Sequence, residues 1–345
     1  MLIQVLLGLL LASFAVSACA GEWARLPSIP DAEGFAGAYA GVSHGSLLVA
    51  GGANFPGKKP WESGKKVWYD TVYVLETPDA QWKVAGRLPR PLGYGVSVSY
   101  RDGVICAGGS DLKRHYADAF RMEWVGGKLK VSTMRPLPIA VANCCGALVG
   151  TDLYVAGGVE TPESQSTLKR VFRMDLSSEP PRWTEVAAWP GPSRMLAVAA
   201  AFDGAFWLVG GVDLTAGKEG TAQRHYLRDA YRFDPGRAWT RVADLPFSVV
   251  AGPSPAPVGA KGIYLLGGDD GAQVAAAPNE HRGFGTKSLR YDLSTNRWAE
   301  AGVIVAPRAV LPTAFWRDAW VLPNGEVRPG VRSPEVWSWS PGMME

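Results

Sequence analysis

Leu47-Leu48-Val49-Ala50-Gly51-Gly52 is the stretch that decides the fold: a short apolar run that ends in two glycines. Four more copies follow it along the chain: Val104-Ile105-Cys106-Ala107-Gly108-Gly109, Leu153-Tyr154-Val155-Ala156-Gly157-Gly158, Phe206-Trp207-Leu208-Val209-Gly210-Gly211 and Ile263-Tyr264-Leu265-Leu266-Gly267-Gly268. A continuous apolar run of this length is typical of a strand that is buried on both faces. A glycine pair ends such a strand because glycine adopts turn conformations that other residues avoid.

The copies recur at a regular distance. Their first glycines are separated by 49 to 57 residues, and a further step of 56 from Gly267 reaches Pro323. This defines a sixth unit that has Pro323-Asn324 in place of the glycine pair. A period near 50 residues in a chain rich in Gly and aromatic residues predicts a kelch-type β-propeller.

Each of the first five units contains signals for four strands. A run of small residues precedes the Gly-Gly strand, an alternating strand follows it, and a Trp-containing strand closes the unit. The sixth unit has only three strands, whereas a Trp-containing strand at 22–27 has no unit before it. We therefore expect an all-β, six-bladed propeller that the N-terminal strand closes, with residues 21–345 forming one domain.

Composition agrees with this fold class and excludes some partners. The 345 residues include 41 Gly, 26 Pro and 14 Trp, and 47% of the chain is hydrophobic, which is ordinary for a globular protein. The formal net charge is +3 with no long basic run, so nucleic acid is not expected as a partner.

Residues 1–20 predict an export signal. They carry no charged side chain, and the run from Leu6 to Val16 suits the apolar centre of a signal peptide. Ala18-Cys19-Ala20 is an A-x-A cleavage site that would leave Gly21 first, whereas Val16 to Cys19 is similar to a lipobox that would place a lipid on Cys19. We expect an exported protein, periplasmic or lipid-anchored to the cell envelope; an uncleaved membrane anchor is the alternative.

The remaining cysteines are Cys106, Cys144 and Cys145, and their spacing is not that of a metal site. We expect small buried side chains at these positions, with a disulfide to Cys106 left open.

Polar residues recur two positions beyond each glycine pair, where a propeller places its loops around the channel mouth. They are Asn54, Asp111, Glu160, Asp213 and Asp270, and the same count in the sixth unit gives Glu326. These side chains are candidate substrate contacts, although Asx and Glu residues at such positions commonly satisfy turn N–H groups instead.

Glu326 differs from the others because Arg328 and Arg332 follow it within six positions. A neighbouring arginine keeps a carboxylate ionised and orients it, and an arginine also binds a substrate carboxylate. Two further candidates are Arg194, in Pro192-Ser193-Arg194 before an inner strand, and His281 in the longest loop. His115 and His225 occupy matching places in two units, which indicates either a repeated structural contact or a sugar contact.

The loop Asn324-Gly325-Glu326-x-Arg328-Pro329-Gly330-x-Arg332 resembles the Asn-Gly-Glu-x-Lys-Pro-Gly-x-Arg loop of the N-acetylneuraminate epimerase family. Residues 37–55 and Tyr94-Gly95-Val96-Ser97 are similar to other segments of that family, in a different blade order that resembles a circularly permuted branch. The resemblance implies a six-bladed propeller that interconverts the α and β anomers of sialic acid without a cofactor or metal. It assigns the catalytic carboxylate to Glu326 and its partner to Arg332.

The chain departs from the family at four places: Arg328 replaces a lysine, an extra residue, Pro323, precedes Asn324, Leu92-Gly93 replaces an expected arginine, and a long insertion between blades is missing. Two alternatives stay open, namely a non-catalytic propeller that binds carbohydrate or protein and a mutarotase of another acidic sugar. A copper radical oxidase is disfavoured because the cysteines lie in strands. A sialidase is disfavoured because its repeated Ser-x-Asp-x-Gly-x-x-Trp turns are missing.

Overall fold

The computed structural model describes residues 21–217 and 221–342, and the predicted export signal lies outside them. Within these residues the chain forms thirty β-strands and one 3-10 turn, Pro60–Glu62, with no α-helix. None of the described residues forms a helix of the length and apolarity needed to cross a membrane. The prediction of an all-β, six-bladed propeller is confirmed by six four-stranded sheets.

The strands are numbered in chain order, beginning with β1 (Glu22–Leu26). Blade 1 contains β2 (Tyr39–Ser43), β3 (Ser46–Ala50), β4 (Ala53–Asn54), β5 (Val67–Trp68), β6 (Thr71–Leu75) and β7 (Lys83–Arg87). Blade 2 contains β8 (Val96–Tyr100), β9 (Gly103–Ala107), β10 (Ala119–Val125) and β11 (Lys128–Thr133). Blade 3 contains β12 (Cys145–Val149), β13 (Asp152–Ala156), β14 (Val171–Asp175) and β15 (Trp183–Val186).

Blade 4 contains β16 (Val198–Phe202), β17 (Ala205–Val209), β18 (Val212–Ala216), β19 (Ala222–Tyr226), β20 (Ala230–Phe233) and β21 (Trp239–Val242). Blade 5 contains β22 (Val258–Gly259), β23 (Gly262–Leu265), β24 (Lys287–Asp292) and β25 (Arg297–Val303). Blade 6 contains β26 (Ala314–Trp316), β27 (Ala319–Pro323), β28 (Glu326–Arg328), β29 (Val331–Arg332) and β30 (Val336–Ser340).

The sheets are antiparallel, and each blade orders its four main strands from the inside outwards. The inner strands are β2, β8, β12, β16, β22 and β26, and each pairs with the second strand of its blade: β3, β9, β13, β17, β23 and β27. In blade 6 the order is β26-β27-β30-β1, so β1 is the outermost strand, paired with β30 from Glu22↔Ser340 to Leu26↔Val336.

The core lies between neighbouring blades, because each sheet buries both of its faces. One cluster joins Leu48 and Val74 of blade 1 to Val104 and Cys106 of blade 2. This two-sided burial explains why the Gly-Gly strands are continuous apolar runs and do not alternate. Cys106, Cys144 and Cys145 carry free thiols, and burial raises the pKa of Cys144 to about 12.

A closed ring of six backbone hydrogen bonds surrounds the central axis. A single residue ahead of each inner strand donates its backbone N–H to the carbonyl of the equivalent residue in the preceding blade. The N···O distances of these bonds are 2.7–2.8 Å. All six have a positive φ, between 53° and 65°. These residues, called here the mouth ring, are Gly37, Tyr94, Asn143, Leu196, Ala251 and Val310.

The sixth unit is offset by one residue from the sequence count. Asn324 and Gly325 have φ of 60° and 93°, and Gly51 and Gly52 have 64° and 87°. Gly325 donates its N–H to a carbonyl of the next blade, as Gly52 does. The pair is therefore Asn324-Gly325, and the count from Pro323 is wrong. Asparagine fits the first position because it tolerates the left-handed region better than other non-glycine residues.

Candidate functional site

Glu326 lies at the edge of the mouth ring. Its N–H donates to the carbonyl of Ala309 at 2.8 Å, and its own carbonyl accepts from the N–H of Ala309 at 3.0 Å. Ala309 directly precedes Val310 of the ring. Because both backbone groups are fixed in this way, the side chain of Glu326 starts from a well-defined point beside the propeller axis.

Arg332 faces Glu326 across a short hairpin. The two residues are directly opposite in the register of β28 and β29, and Nη2 of Arg332 lies 2.6 Å from Oε1 of Glu326. The side chains are 3% and 15% exposed, respectively. The guanidinium also lies over the ring of Phe55, 4.7 Å from its centroid. A short charge-assisted bond between buried groups holds the carboxylate in one orientation.

The pKa of Glu326 is raised above its ordinary value. Burial is the largest cause, because it disfavours the charged carboxylate. The positive charges of Arg332 and Lys66 oppose this effect, and the negative charge of Asp269 adds to it. A carboxylate with a raised pKa is a stronger base than a carboxylate in water. Once protonated, it can also donate the proton as a general acid.

The same hairpin position recurs on other blades with different side chains. The position of Glu326 is taken by Ala53, Ser110 and Val212, and the position of Arg332 by Trp68, His115 and Tyr226. In blade 5, Asp269 takes the position of Glu326 through its bridge to Val250. An acid–base pair therefore occupies this position in blade 6, whereas the other pairs are aromatic, apolar or polar.

His115 and His225, which look equivalent in the sequence, occupy hairpin positions that differ by one residue. His115 pairs with Ser110 as Tyr226 pairs with Val212, whereas His225 pairs with Asp213 on the exposed hairpin of blade 4. Nδ1 of His115 lies 2.9 Å from the carbonyl oxygen of Val159, so this nitrogen donates the proton. Burial lowers the pKa of His115.

Arg328 and His281 meet beside the hairpin of blade 6. Nη1 of Arg328 donates to the carbonyl of Asn279 at 3.1 Å, and its guanidinium lies 5.2 Å from the Trp61 ring. His281 is buried, and its Nδ1 accepts the N–H of Gly283 at 3.1 Å. Arg328 thus ties the long loop of blade 5 to the loop that carries Glu326.

Four of the other predicted contacts make turn or side-chain hydrogen bonds. Asn54 donates to the carbonyl of Gly34, and Asp111 accepts two N–H groups of its own turn. Asp213 accepts the hydroxyl protons of two neighbours at 2.6 and 2.7 Å, and Asp270 accepts the N–H of Ala272. Glu160 is exposed. Their role as substrate contacts stays a prediction.

Arg194 lies inside the wall between blades 3 and 4. Its side chain is 0% exposed, and its Nη2 lies 2.8 Å from Oδ2 of Asp229. Its Nη1 donates to the carbonyl of Gly210 at 2.8 Å. The structure does not bring this guanidinium to Glu326.

The sequence did not indicate Lys66, Trp68 or Tyr94 as candidate site residues, although Tyr94 belongs to a segment that resembles the family. The Lys66 ammonium lies 4.1 Å from the ring centroid of Tyr94 and 4.6 Å from that of Trp68. Tyr94 lies against Gly37, where a Cβ atom would approach Cδ1 of Tyr94 to 2.6 Å. Glycine at position 37 thus leaves the space in which the Tyr94 ring rests.

The cavity at the mouth ring is small. It has a volume of about 60 Å³ and is lined by the mouth ring and the inner strands, with Glu326 outside its walls. This space suits a few water molecules and no sugar. A ligand of Glu326 therefore has to lie above the ring, between the hairpins. Within residues 21–217 and 221–342, no three His, Cys, Asp or Glu side chains are arranged to hold a metal ion.

Comparison with solved structures supports the fold. The solved structure of YjhT matches with a TM-score of 0.65 and 15% sequence identity, over 90% of this chain and 96% of that chain. At this identity the likeness concerns the architecture alone.

Sequence relatives are more specific. The N-acetylneuraminate epimerase of Yersinia pestis (strain Pestoides F) is 43% identical over 126 residues, which is 32% of this chain and 32% of that protein. The N-acetylneuraminate epimerase of Haemophilus influenzae (strain PittEE) is 30% identical over 230 residues, or 59% and 58% of the two chains. The matches thus span from about a third to three fifths of these relatives.

The family model described as "NANM: N-acetylneuraminate epimerase" matches residues 12–131 and 135–275, which together exceed half of the chain. With the six-bladed architecture and the Glu326–Arg332 hairpin, this match establishes that the chain belongs to the N-acetylneuraminate epimerase family.

Proposed function

We propose that this protein is an isomerase that interconverts the α and β anomers of N-acetylneuraminic acid, with Glu326 as the acid–base group. The observation that carries the proposal is the buried carboxylate of Glu326, held by Arg332 at 2.6 Å beside the mouth ring. Family membership and the names of the relatives support the same reaction.

The reaction needs two proton movements and no electron transfer. The Glu326 carboxylate takes the proton of the anomeric hydroxyl as the bond between the anomeric carbon and the ring oxygen breaks. The ring oxygen receives a proton, from the conjugate acid or through a water, and the open-chain keto acid results. After the carbonyl group rotates, the hydroxyl formed from the ring oxygen adds to its other face and loses its proton, while the carbonyl oxygen takes up the proton held by Glu326 and becomes the new anomeric hydroxyl. No cofactor is required by this chemistry.

Arg332 serves this cycle mainly through Glu326. It keeps the carboxylate ionised against the effect of burial, so that the base is available. It also fixes the direction of the lone pairs, which matters because proton transfer needs hydrogen-bond distance to the substrate hydroxyl.

The departure at Leu92 does not weaken the sialic acid proposal. Leu92 lies two residues before Tyr94 of the mouth ring, as Arg194 and Arg308 lie two residues before Leu196 and Val310. Both arginines are buried in walls between blades, and Leu92 likewise packs in the core of blades 1 and 2. An arginine at position 92 would be buried between blades, so its replacement by leucine affects the packing of the blades.

Proton NMR of freshly released α-N-acetylneuraminic acid tests the proposal. The purified protein should accelerate equilibration of the anomers, and Glu326→Gln should slow it by about 10²- to 10⁴-fold. Equilibration no faster than in buffer would refute the sialic acid assignment. Full activity of Glu326→Gln would remove this residue as the acid–base group. Running other acidic keto sugars in the same assay tests a different substrate.

We also propose that residues 1–20 direct export to the periplasm or cell envelope and that residues 21–345 act as a single domain. Support for export comes from the uncharged apolar run and the Ala18-Cys19-Ala20 site. Mass spectrometry of the mature N-terminus distinguishes a diacylglyceryl group on Cys19 from a free Gly21. A full-length N-terminus beginning at Met1 would contradict both forms.

A further inference from the structure

A second cation stands beside Glu326. Lys66 is half-buried, and its ammonium rests on the faces of Tyr94 and Trp68, at 4.1 and 4.6 Å from their centroids. Within the described part of the chain, no carboxylate forms an ion pair with it, whereas Lys59 pairs with Glu33 and Lys83 with Glu76. Aromatic faces hold an ammonium in place without neutralising its charge.

The arginines of the site are already engaged. Arg332 is 3% exposed and bonded to Glu326, and its unpartnered Nε and Nη1 atoms are buried from solvent. Arg328 donates to the carbonyl of Asn279 and stacks on Trp61. An incoming anion would therefore have to reach buried nitrogens of Arg332 or displace the contacts of Arg328, whereas the ammonium of Lys66 is half-buried and bound to no carboxylate of the described residues.

The charge of Lys66 also reaches Glu326, since it is one of the two cations that oppose the effect of burial on this carboxylate. The ammonium of Lys66 and the carboxylate of Glu326 are therefore close enough to interact electrostatically. Tyr94 belongs to this ring and carries Lys66, while Glu326 joins the ring through Ala309 and Val310.

We propose that Lys66 determines the specificity for acidic sugars, because its ammonium binds the substrate carboxylate. This inference rests on the proposed function. In a 2-keto sugar acid the carboxylate is attached directly to the anomeric carbon, so a carboxylate bound at Lys66 places the anomeric hydroxyl close by. Glu326 then removes the proton of that hydroxyl. Binding also neutralises Lys66, so the carboxylate of Glu326 becomes more basic once substrate is present.

The experiment compares N-acetylneuraminic acid with its methyl ester, which has the same ring but no carboxylate charge. Anomer exchange is measured by NMR for the wild-type protein, Lys66→Met and Lys65→Met. Lys65 is exposed and adjacent in sequence, so it is a matched control for loss of a nearby charge. Lys66→Arg keeps the charge and shows whether a cation at this position suffices.

Lys66→Met should reduce kcat/KM for the acid by about ten- to a hundredfold, mostly through KM, because one charge-assisted bond is lost. At a pH at which Glu326 is ionised in both proteins, the rate with the ester should change by less than about twofold. Lys65→Met should leave both rates unchanged, and Lys66→Arg should recover most of the preference for the acid. Equal loss of rate with acid and ester, or no loss with the acid, would overturn the proposal.

A binding measurement separates this inference from the proposed function. The α-methyl glycoside of N-acetylneuraminic acid keeps the carboxylate but cannot open its ring. If its calorimetric affinity falls in Lys66→Met and the wild-type protein shows no anomer exchange, the carboxylate site stands and the isomerase activity fails. If the wild-type protein exchanges anomers and Lys66→Met binds the glycoside equally well, the activity stands and the role of Lys66 fails.

Discussion

Replacing Arg332 by Gln should move the acid limb of the pH–rate profile to higher pH. Glu326 must be ionised to accept a proton, so the rate falls as the pH falls through its pKa. In the wild-type protein burial raises this pKa, and Arg332 is the largest influence that lowers it again. Without the guanidinium, the carboxylate becomes protonated at a higher pH.

The size of the shift follows from the geometry of the pair. Two unit charges about 4 Å apart attract each other by about 4 kcal/mol at an effective dielectric constant of about 20. At about 1.4 kcal/mol per pKa unit this gives about three units as an upper value. Shifts of about one to three units are typical of a carboxylate beside an arginine. We expect a displacement of the limb within that range.

The assay is kcat/KM for anomer exchange from about pH 4 to about pH 9, in the span where the limb is expected. Lys66→Met should shift the limb in the same direction by less than Arg332→Gln, because Lys66 contributes less to the pKa of Glu326. Lys65→Met should not shift it. A limb that stays in place or moves to lower pH in Arg332→Gln would refute the electrostatic role of this arginine.

Three predictions concern the scaffold. Gly37→Ala should destabilise the protein by about 1–3 kcal/mol, since φ is +65° and the new Cβ would meet the Tyr94 ring; unchanged denaturant midpoints would contradict this. Arg194→Met should cost about 3–5 kcal/mol by leaving Asp229 buried without its partner, yet KM at a permissive temperature should stay unchanged; a raised KM with normal stability would instead indicate a substrate contact. Asn324→Gly should alter stability by no more than about 1 kcal/mol, whereas Gly325→Ala should cost about 1–3 kcal/mol, and the reverse order by chemical denaturation would speak against the Asn324-Gly325 register.

The fold was largely predictable because its decisive signal is local and repeated. A buried two-sided strand needs a continuous apolar run, and the turn after it needs two residues with positive φ, so Leu47 to Gly52 carries both requirements in six positions. The sixth unit was placed one residue too early because asparagine also adopts positive φ. Only the backbone angles and the bond from Gly325 to the next blade identify the correct pair.

The site was predictable only in part. Glu326 and Arg332 are close in sequence, and their charges distinguish this loop from the corresponding loops of the other units. Lys66 and Tyr94 belong to segments more than 200 residues away, and nothing in their local sequence shows that Lys66 rests on Tyr94 within electrostatic reach of Glu326. Asp111 and Asp270 looked equivalent to Glu326 by counting, but their carboxylates accept N–H groups of their own turns. A count of positions does not distinguish these two uses of an acid.

The mouth ring has a consequence for how an anion is recognised here. Many proteins bind carboxylates or phosphates with free backbone N–H groups at a loop or helix terminus. In this propeller the N–H groups of the six mouth-ring residues already donate to carbonyl oxygens of the same ring in a closed circuit. These six N–H groups are therefore not available to a ligand, and the side chains of the surrounding hairpins are the groups placed to bind its charges. Specificity can then change by exchanging one residue on a hairpin, while the backbone ring beneath it stays as it is.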